Sequence, residues 1–163
     1  MKNLKNKKAF SMIELIFVIV IIGILASVAI PKLAATRDDA FIAKARATVA
    51  SVRSALSIER QKRILRGDFT PVIAVGNATN VFGVFSAASN GDTRDVLEYP
   101  IVSTVNTKDK WSFIAGGGRS GRDRYRFDSA LGDVNFEVVG GKFQCDAINT
   151  LNTNATGCTQ LTN

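Results

Sequence analysis

Apolar and polar positions follow three different rules along this chain. From Phe10 to Ile30 the run is almost wholly apolar: Leu15 to Ile30 is sixteen residues without a charge, interrupted only by Gly23 and Ser27, and the uncharged pattern resumes after Pro31 and Lys32 with Leu33, Ala34 and Ala35. Crossing a hydrocarbon core of about 30 Å takes roughly 20 apolar residues, so this segment spans a bilayer only if Phe10 to Ile13 are included. Including them places one carboxylate, Glu14, inside the membrane. Beyond Pro31 the pattern becomes amphipathic. Phe41, Ala45, Val49, Val52 and Leu56 recur at spacings of 4, 4, 3 and 4, a single helix face, while Lys44, Arg46, Arg53 and Ser54 fall elsewhere. Extending the stripe reaches Glu59 and Arg63, so the last turns are expected to leave the core or face solvent, with those two residues paired at i, i+4. Gly67, Asp68 and Pro71 supply the stop. A continuous helix from Phe10 to Arg66 would be roughly 85 Å long at 1.5 Å per residue.

The third rule is alternation. "KWSFIA" ending at Ala115, "RYRFDS" from Arg124, "DVNFEVV" from Asp133 and "KFQCDA" from Lys142 read as strands. Punctuation at Gly132-Asp133 and Gly140-Gly141 predicts an antiparallel meander with short turns. Phe113, Phe127, Phe136 and Phe143 are the expected core residues facing the helix stripe. Between helix and strands, Phe69 to Thr107 is rich in Asn, Thr, Gly and Ala and reads as a connection, with a short helix expected around Asp92 to Leu97.

Composition adds compartment and limits. The chain has 163 residues, 46% of them hydrophobic and 21% charged, enough for one domain with an unusually apolar element attached. Lys2, Lys5, Lys7 and Lys8 precede the apolar run, which holds the N-terminus in the cytoplasm and sends the rest outward. Loss of the first nine residues would remove those four lysines from the net charge of +7, leaving 17 basic against 14 acidic residues, a balance of +3. That is a poor case for nucleic acid, which is not expected as a partner. Cys145 and Cys158 fit a disulfide in an exported compartment, or a pair of reduced core thiols.

Three readings of the N-terminus compete. A secretory signal peptide would be cut after Ser27-Val28-Ala29 and release a soluble, periplasmic binding protein starting at Ile30. A permanent signal anchor would hold an inner-membrane protein. Both leave Glu14 unexplained, since a carboxylate in a spanning helix costs a few kcal/mol even on lenient scales.

The stretch "KKAFSMIELIFVIVIIGILASVAIP" resembles the leader and N-terminal helix of type IV pilins and of the pseudopilins of type II secretion systems. The resemblance covers about 25 of the 163 residues. It implies an α+β, pilin-like fold: a long N-terminal helix packed on a small antiparallel sheet. It divides the chain into a leader at 1–9, a transmembrane and filament-core half-helix at 10–35, and a periplasmic or extracellular head at 36–163. A prepilin peptidase would cut between Ala9 and Phe10 and methylate the new N-terminus on Phe10; the family most often has glycine where Ala9 stands. Glu14 would become the fifth residue of the mature chain and pair with the N-terminal ammonium of a neighbouring subunit, which turns a costly buried charge into a device for register. Gly23 and Pro31 fall at the family's weak points, where the helix can bend or extend.

The resemblance further implies a non-enzymatic structural subunit of a type IV pilus or a type II pseudopilus, serving secretion, adhesion, motility or DNA uptake. Its partners would be other copies and other pilins or pseudopilins, the inner membrane, and an assembly platform driven by a cytoplasmic ATPase. The tail "CDAINTLNTNATGC" would be a loop closed by Cys145 and Cys158, as in many type IV pilins, and the Phe69–Thr107 connection would carry functional surface.

Other chemistry finds little support. The chain contains no histidine, which removes Ser-His-Asp catalysis, Cys-His nucleophiles and histidine zinc sites. In "AGGGRSGRDR" Gly116 and Gly121 are followed by Arg122 and Asp123 where a phosphate loop needs Lys and Ser or Thr, and the stretch reads as a flexible hairpin connection. Arg119, Arg122, Arg124 and Arg126 could touch DNA or other anionic surfaces, or form the solvated face of an edge strand. "SNGDTRD" from Ser89 raises calcium, which the resemblance to major pseudopilins also suggests. The spacing is not that of an EF-hand, and Asp92 and Asp95 read as turn residues, so no metal or cofactor is expected.

Overall fold

The computed structural model describes residues 10–130, 132–146 and 155–162. Helix α1 runs over Met12–Leu65. It starts with the Leu15 amide donating to the Ser11 carbonyl at 3.1 Å and passes without interruption through Gly23 and Pro31. Pro31 has no N–H to give the Ser27 carbonyl one turn back. The end is built by Gly67 at φ 77°: its amide donates to Ile64 O and the Asp68 amide to Arg63 O, both at 2.9 Å, which occupies carbonyls the last turn would leave open. A Cβ at that φ would be strained.

By its internal contacts the chain divides into two units, one up to Arg37 and one from Asp38 onward. The described part of the first is the apolar half of α1. Its large side chains are bare, from Phe10 at 80% exposure to Leu33 at 68%.

The second unit contains the core. Strands β1 (Trp111–Ile114), β2 (Arg124–Ser129), β3 (Gly132–Val139) and β4 (Lys142–Cys145) form an antiparallel sheet in the order β1-β2-β3-β4. The expected meander is present. Its register sets Trp111 opposite Phe127, Phe113 opposite Tyr125, Tyr125 opposite Phe136 and Val138 opposite Phe143, so one face is aromatic and aliphatic throughout. Phe127, Phe136 and Phe143 are buried as expected, and Phe113 is half-buried against them. Trp111 and Tyr125 share that core with Ala45, Val49, Val52 and Leu56 of the α1 stripe. Phe136 and Phe143 stack with centroids 4.9 Å apart, and Phe82 meets Trp111 edge-on at 5.0 Å.

Phe82 marks the first departure from the sequence reading. The Phe69–Thr107 segment is no mere connection, because Val72, Val75, Val81, Phe82, Phe85 and Val96 all belong to the core. Gly76 shows how tightly it packs: a Cβ there would lie 1.8 Å from the Val81 carbonyl oxygen. The Tyr125 hydroxyl accepts the Val75 amide at 2.9 Å, and burial pushes this phenol up, out of its ordinary range.

The helix expected at Asp92 to Leu97 does not form. Asp95 bridges Val84, and the Val96 amide donates to Gly83 O at 2.8 Å. Six residues ending near Pro100 close too few helical hydrogen bonds to offset nucleation, and extended pairing satisfies the backbone better.

The same segment reverses the expectation for the end of α1. Glu59 and Arg63 pair as expected, at 2.9 Å, yet they are 3% and 1% exposed. Arg63 also donates to the Ser86 carbonyl, so the folded-back segment buries the pair instead of leaving it to solvent.

Three further expectations are corrected. β2 is an interior strand, so Arg124 and Arg126 are not edge residues; on the face away from the core, Arg126 holds Asp128 at 3.2 Å and Asp133 at 3.4 Å. The glycine-rich connection of β1 to β2 is fastened down, because Glu137 accepts the Arg119 amide and pairs with Arg122 at 3.5 Å. Within the tail, residues 147–154 lie outside the described residues, and the chain from 155 onward is a helix, α2 (Ala155–Thr162), where a loop was expected.

Glu59→Ala should destabilise the head by about 3–5 kcal/mol, because it strands a buried guanidinium, whereas a Glu59→Leu/Arg63→Leu double variant should recover most of that loss; denaturant titration of both measures the difference. Asp128 and Asp133 stand opposite each other across β2 and β3, and desolvation together with that hydrogen-bonded neighbour raises the Asp128 carboxyl to about 6 from 3.8. A raised carboxyl favours the protonated folded state, so this group's contribution is present below the unfolded value and is lost as pH rises through about 6. Stability should fall by about 1 kcal/mol between pH 4 and 7 on this account, after discounting for partial exposure, and Asp128→Asn should flatten that slope.

Candidate functional site

The sequence singles out the first turns of α1. Ala9 lies outside the described residues; Phe10 precedes the helix and is bare. Ser11 and Glu14 stand at the spacing of a capping box, a signal the sequence reading missed, and a carboxylate in the first turn is also favoured by the helix dipole. The helix dipole thus gives Glu14 one local role. It does not explain the surroundings.

Ile13, Leu15, Phe17 and Val18 are between 44% and 70% exposed, and Glu14 is the only charge between Phe10 and Ile30. An 18-residue window of α1 reaches a mean hydropathy of 3.0 and is long and apolar enough to cross a membrane. A helix apolar on every side is a membrane span or the interior of a bundle. Each aliphatic side chain withdrawn from water there contributes about 1.5–3 kcal/mol. In such surroundings a carboxylate needs a cation, and removal of the residues before Phe10 would create one, the Phe10 α-amino group. Gly23 and Pro31 lie inside the same apolar helix, with open space around Gly23.

At the other end of the chain, Cys145 of β4 and Cys158 of α2 form a disulfide, with Cα atoms 5.8 Å apart. Cys158 and Leu161 are buried in the core. The bond is not the only tie on α2. Arg46 Nε donates to Gln160 O at 2.7 Å, and Arg53 donates to Thr162 O at 3.4 Å and to Phe143 O at 3.1 Å. Two guanidinium groups therefore meet the carbonyl end of a short helix, where positive charge is favourable. Sequence reasoning passed over these arginines; their seven-residue spacing on the flank of the α1 stripe was the available signal.

The remaining candidates are engaged locally. Asp92 holds Arg94 at 3.1 Å and Arg66 at 3.2 Å, and their hydrogen bonds keep its carboxyl below the usual range. Asp95 is exposed, and among the described residues no three His, Cys, Asp or Glu side chains gather as a metal cluster would require. Asp68 is likewise lowered by the Thr70 side chain and by the Thr70 and Ser89 amides.

Comparison with known proteins bears on the front end. Residues 4–30 match the family model described as the prokaryotic N-terminal methylation motif. The chain is 51% identical over 51 residues to the type IV narrow pilus major component PilA5 of Thermus thermophilus, a match covering 31% of this chain and 44% of that protein. The chain thus spans less than half the length of this curated relative. No solved structure matches it.

Reduction of Cys145–Cys158 should lower the stability of the head by about 3 kcal/mol, the chain-entropy value for so short a loop, and its melting temperature by about 10 °C. An unchanged melt on reduction would assign the hold on α2 to Arg46, Arg53 and Leu161 alone.

Proposed function

We infer that this chain, a member of the type IV pilin family by its N-terminal segment, is made as a prepilin, cut between Ala9 and Phe10, methylated on Phe10, and assembled through α1 into a type IV pilus. The observation that carries the reading is the bare apolar half of α1 with a single carboxylate in its first turn. Such a surface is stable only in lipid or against other copies of itself, and the same helix serves both in turn. Before assembly it anchors the subunit in the inner membrane, with the N-terminus cytoplasmic and the head periplasmic. During assembly it leaves lipid for a bundle of identical helices. Glu14 then pairs with the Phe10 ammonium of a neighbour, and Gly23 and Pro31 let the helix adjust on the way. Prepilin peptidase, an inner-membrane platform and a cytoplasmic ATPase are the implied partners.

The likeness to a pilus component and the disulfide-closed tail favour a pilus over a type II pseudopilus, which has the same front end. The head supplies surface rather than catalysis: the family is one of structural subunits, and the chain carries no histidine. The rival is an exported soluble protein cut near Ala29, for which Glu14 would be dispensable.

Glu14→Ala separates the two. The variant should insert into the inner membrane as the wild type does, since it is more apolar, while filament yield falls about 100-fold because the neighbour's ammonium loses its counter-ion. Wild-type filament yield from the variant, or a soluble periplasmic product from both chains, would contradict the proposal.

A further inference from the structure

Of the asparagines in the sequence, only Asn90 is followed by glycine. It stands at the exposed tip of a small hairpin, where the Ala88 amide donates to Asp92 O at 3.0 Å and the Gly91 amide to Ala88 O at 2.9 Å. Gly91 has φ 80° and open space where a Cβ would lie, so no side chain screens its nitrogen from Asn90. The Asp92 amide donates to Asn90 Oδ1 at 3.0 Å. A donor in that place meets the oxygen on which negative charge develops when a nucleophile adds to the side-chain carbonyl. Attack by the next backbone nitrogen is intramolecular, so no second reactant has to be brought up. The charged groups around the tip are engaged with one another or with backbone: Asp92 holds Arg66 and Arg94, and Asp68 accepts the Ser89 amide at 3.0 Å. Asn77 is the internal comparison. It too is exposed, and its Oδ1 accepts the Thr79 and Asn80 amides at 3.0 and 2.9 Å, yet the residue after it is Ala78.

We propose that Asn90 and Gly91 form a self-modification site that turns the neutral side chain at position 90 into a carboxylate. The Gly91 nitrogen gives its proton to solvent base and bonds to Asn90 Cγ. The bond from Cγ to Nδ2 breaks, ammonia leaves with a proton from water, and a five-membered imide remains. Water then opens either imide carbonyl. One opening restores the backbone and leaves an aspartyl side chain; the other routes the backbone through the side-chain methylene and leaves an isoaspartyl residue. The sum is amide and water to carboxylic acid and ammonia, with no oxidant or reductant. Because the Gly91 amide is committed to Ala88 O, attack goes through a local opening of the tip, which gives up exposed hydrogen bonds and leaves the core intact. The product places a new negative charge two residues from Asp92, which holds Arg66 of α1, and the isoaspartyl form lengthens a closed hairpin. The tip thus records elapsed time as charge. The inference stands on the second unit alone and is independent of the assembly reading.

The test is a timed incubation of the folded full-length protein in mildly alkaline buffer made with heavy-oxygen water. Mass mapping follows on the tryptic peptide 67–94, which carries Asn77, Asn80 and Asn90 together. Digestion in ordinary water leaves any later conversion unlabelled. Position 90 should gain label as a mixture of aspartyl and isoaspartyl products while Asn77 and Asn80 keep their amides, and a more acidic form of the protein should accumulate on ion exchange. The folded rate should lie within about a hundredfold of the rate in the isolated peptide, the range of a local opening. In Asn90→Gln, whose longer side chain does not close the same ring, the acidic form should be absent. A folded chain that keeps Asn90 intact while the peptide loses it, or converts more than about a hundredfold slower, overturns the proposal, because the reaction would then belong to the unfolded chain. Conversion of Asn77 at the rate of Asn90 overturns it, and so does an acidic form that persists in Asn90→Gln.

Discussion

An apolar half-helix whose large side chains stand bare among the described residues is the constraint on which everything else here depends. Half of α1 presents Ile, Val, Leu and Phe on all sides, with one carboxylate near its start. Water is a poor environment for that surface, and lipid is a poor one for the carboxylate. Both difficulties would end together in the proposed bundle of identical processed helices, where apolar faces would meet and a neighbour's ammonium would be within reach. On the proposed assembly, the pairing of Glu14 with a freed Phe10 amine would be a condition for helix association more than an added bond.

The second unit answers a different demand, to hold a definite surface on a core of its own. It does so by using the second half of α1 as one wall of its core. The polar elements are tied to the same wall. Glu59 and Arg63 lie buried beneath the folded-back Phe69–Thr107 segment, and Arg46 and Arg53 fasten α2, which the disulfide also holds. Arginines, from buried Arg63 to exposed Arg46, thus do for the periphery of this unit what aromatic packing does for its middle. Such pairs contribute to uniqueness of structure more dependably than to net stability, because their desolvation offsets much of their attraction.

Much of this was legible in the residues. Strands β2 to β4 alternate cleanly, their turns carry glycine, and the stripe of α1 keeps helical spacing until Leu56, so the meander and its helix could be read directly. Three things were not. The core residues between Val72 and Val96 follow neither period, because they pack from irregular chain whose backbone is paired by bridges and turns. Glu59 and Arg63 look solvated on a helical wheel, and only the segment that folds over them buries the pair. The last helix, α2, has a composition typical of loops and depends on tertiary ties at Cys158, Leu161 and its terminal carbonyls. At the candidate site the sequence offered Glu14 and its apolar setting outright, and the capping-box spacing from Ser11 was legible there too, though passed over.

The central claim is that α1 is processed before its apolar segment and not within it. The intact mass and N-terminal sequence of the protein taken from native membranes test this most directly. A chain that begins at methylated Phe10 and keeps Glu14 is the predicted result. A chain that begins at Ile30 would contradict the account, since it would have discarded the apolar helix through which assembly is proposed.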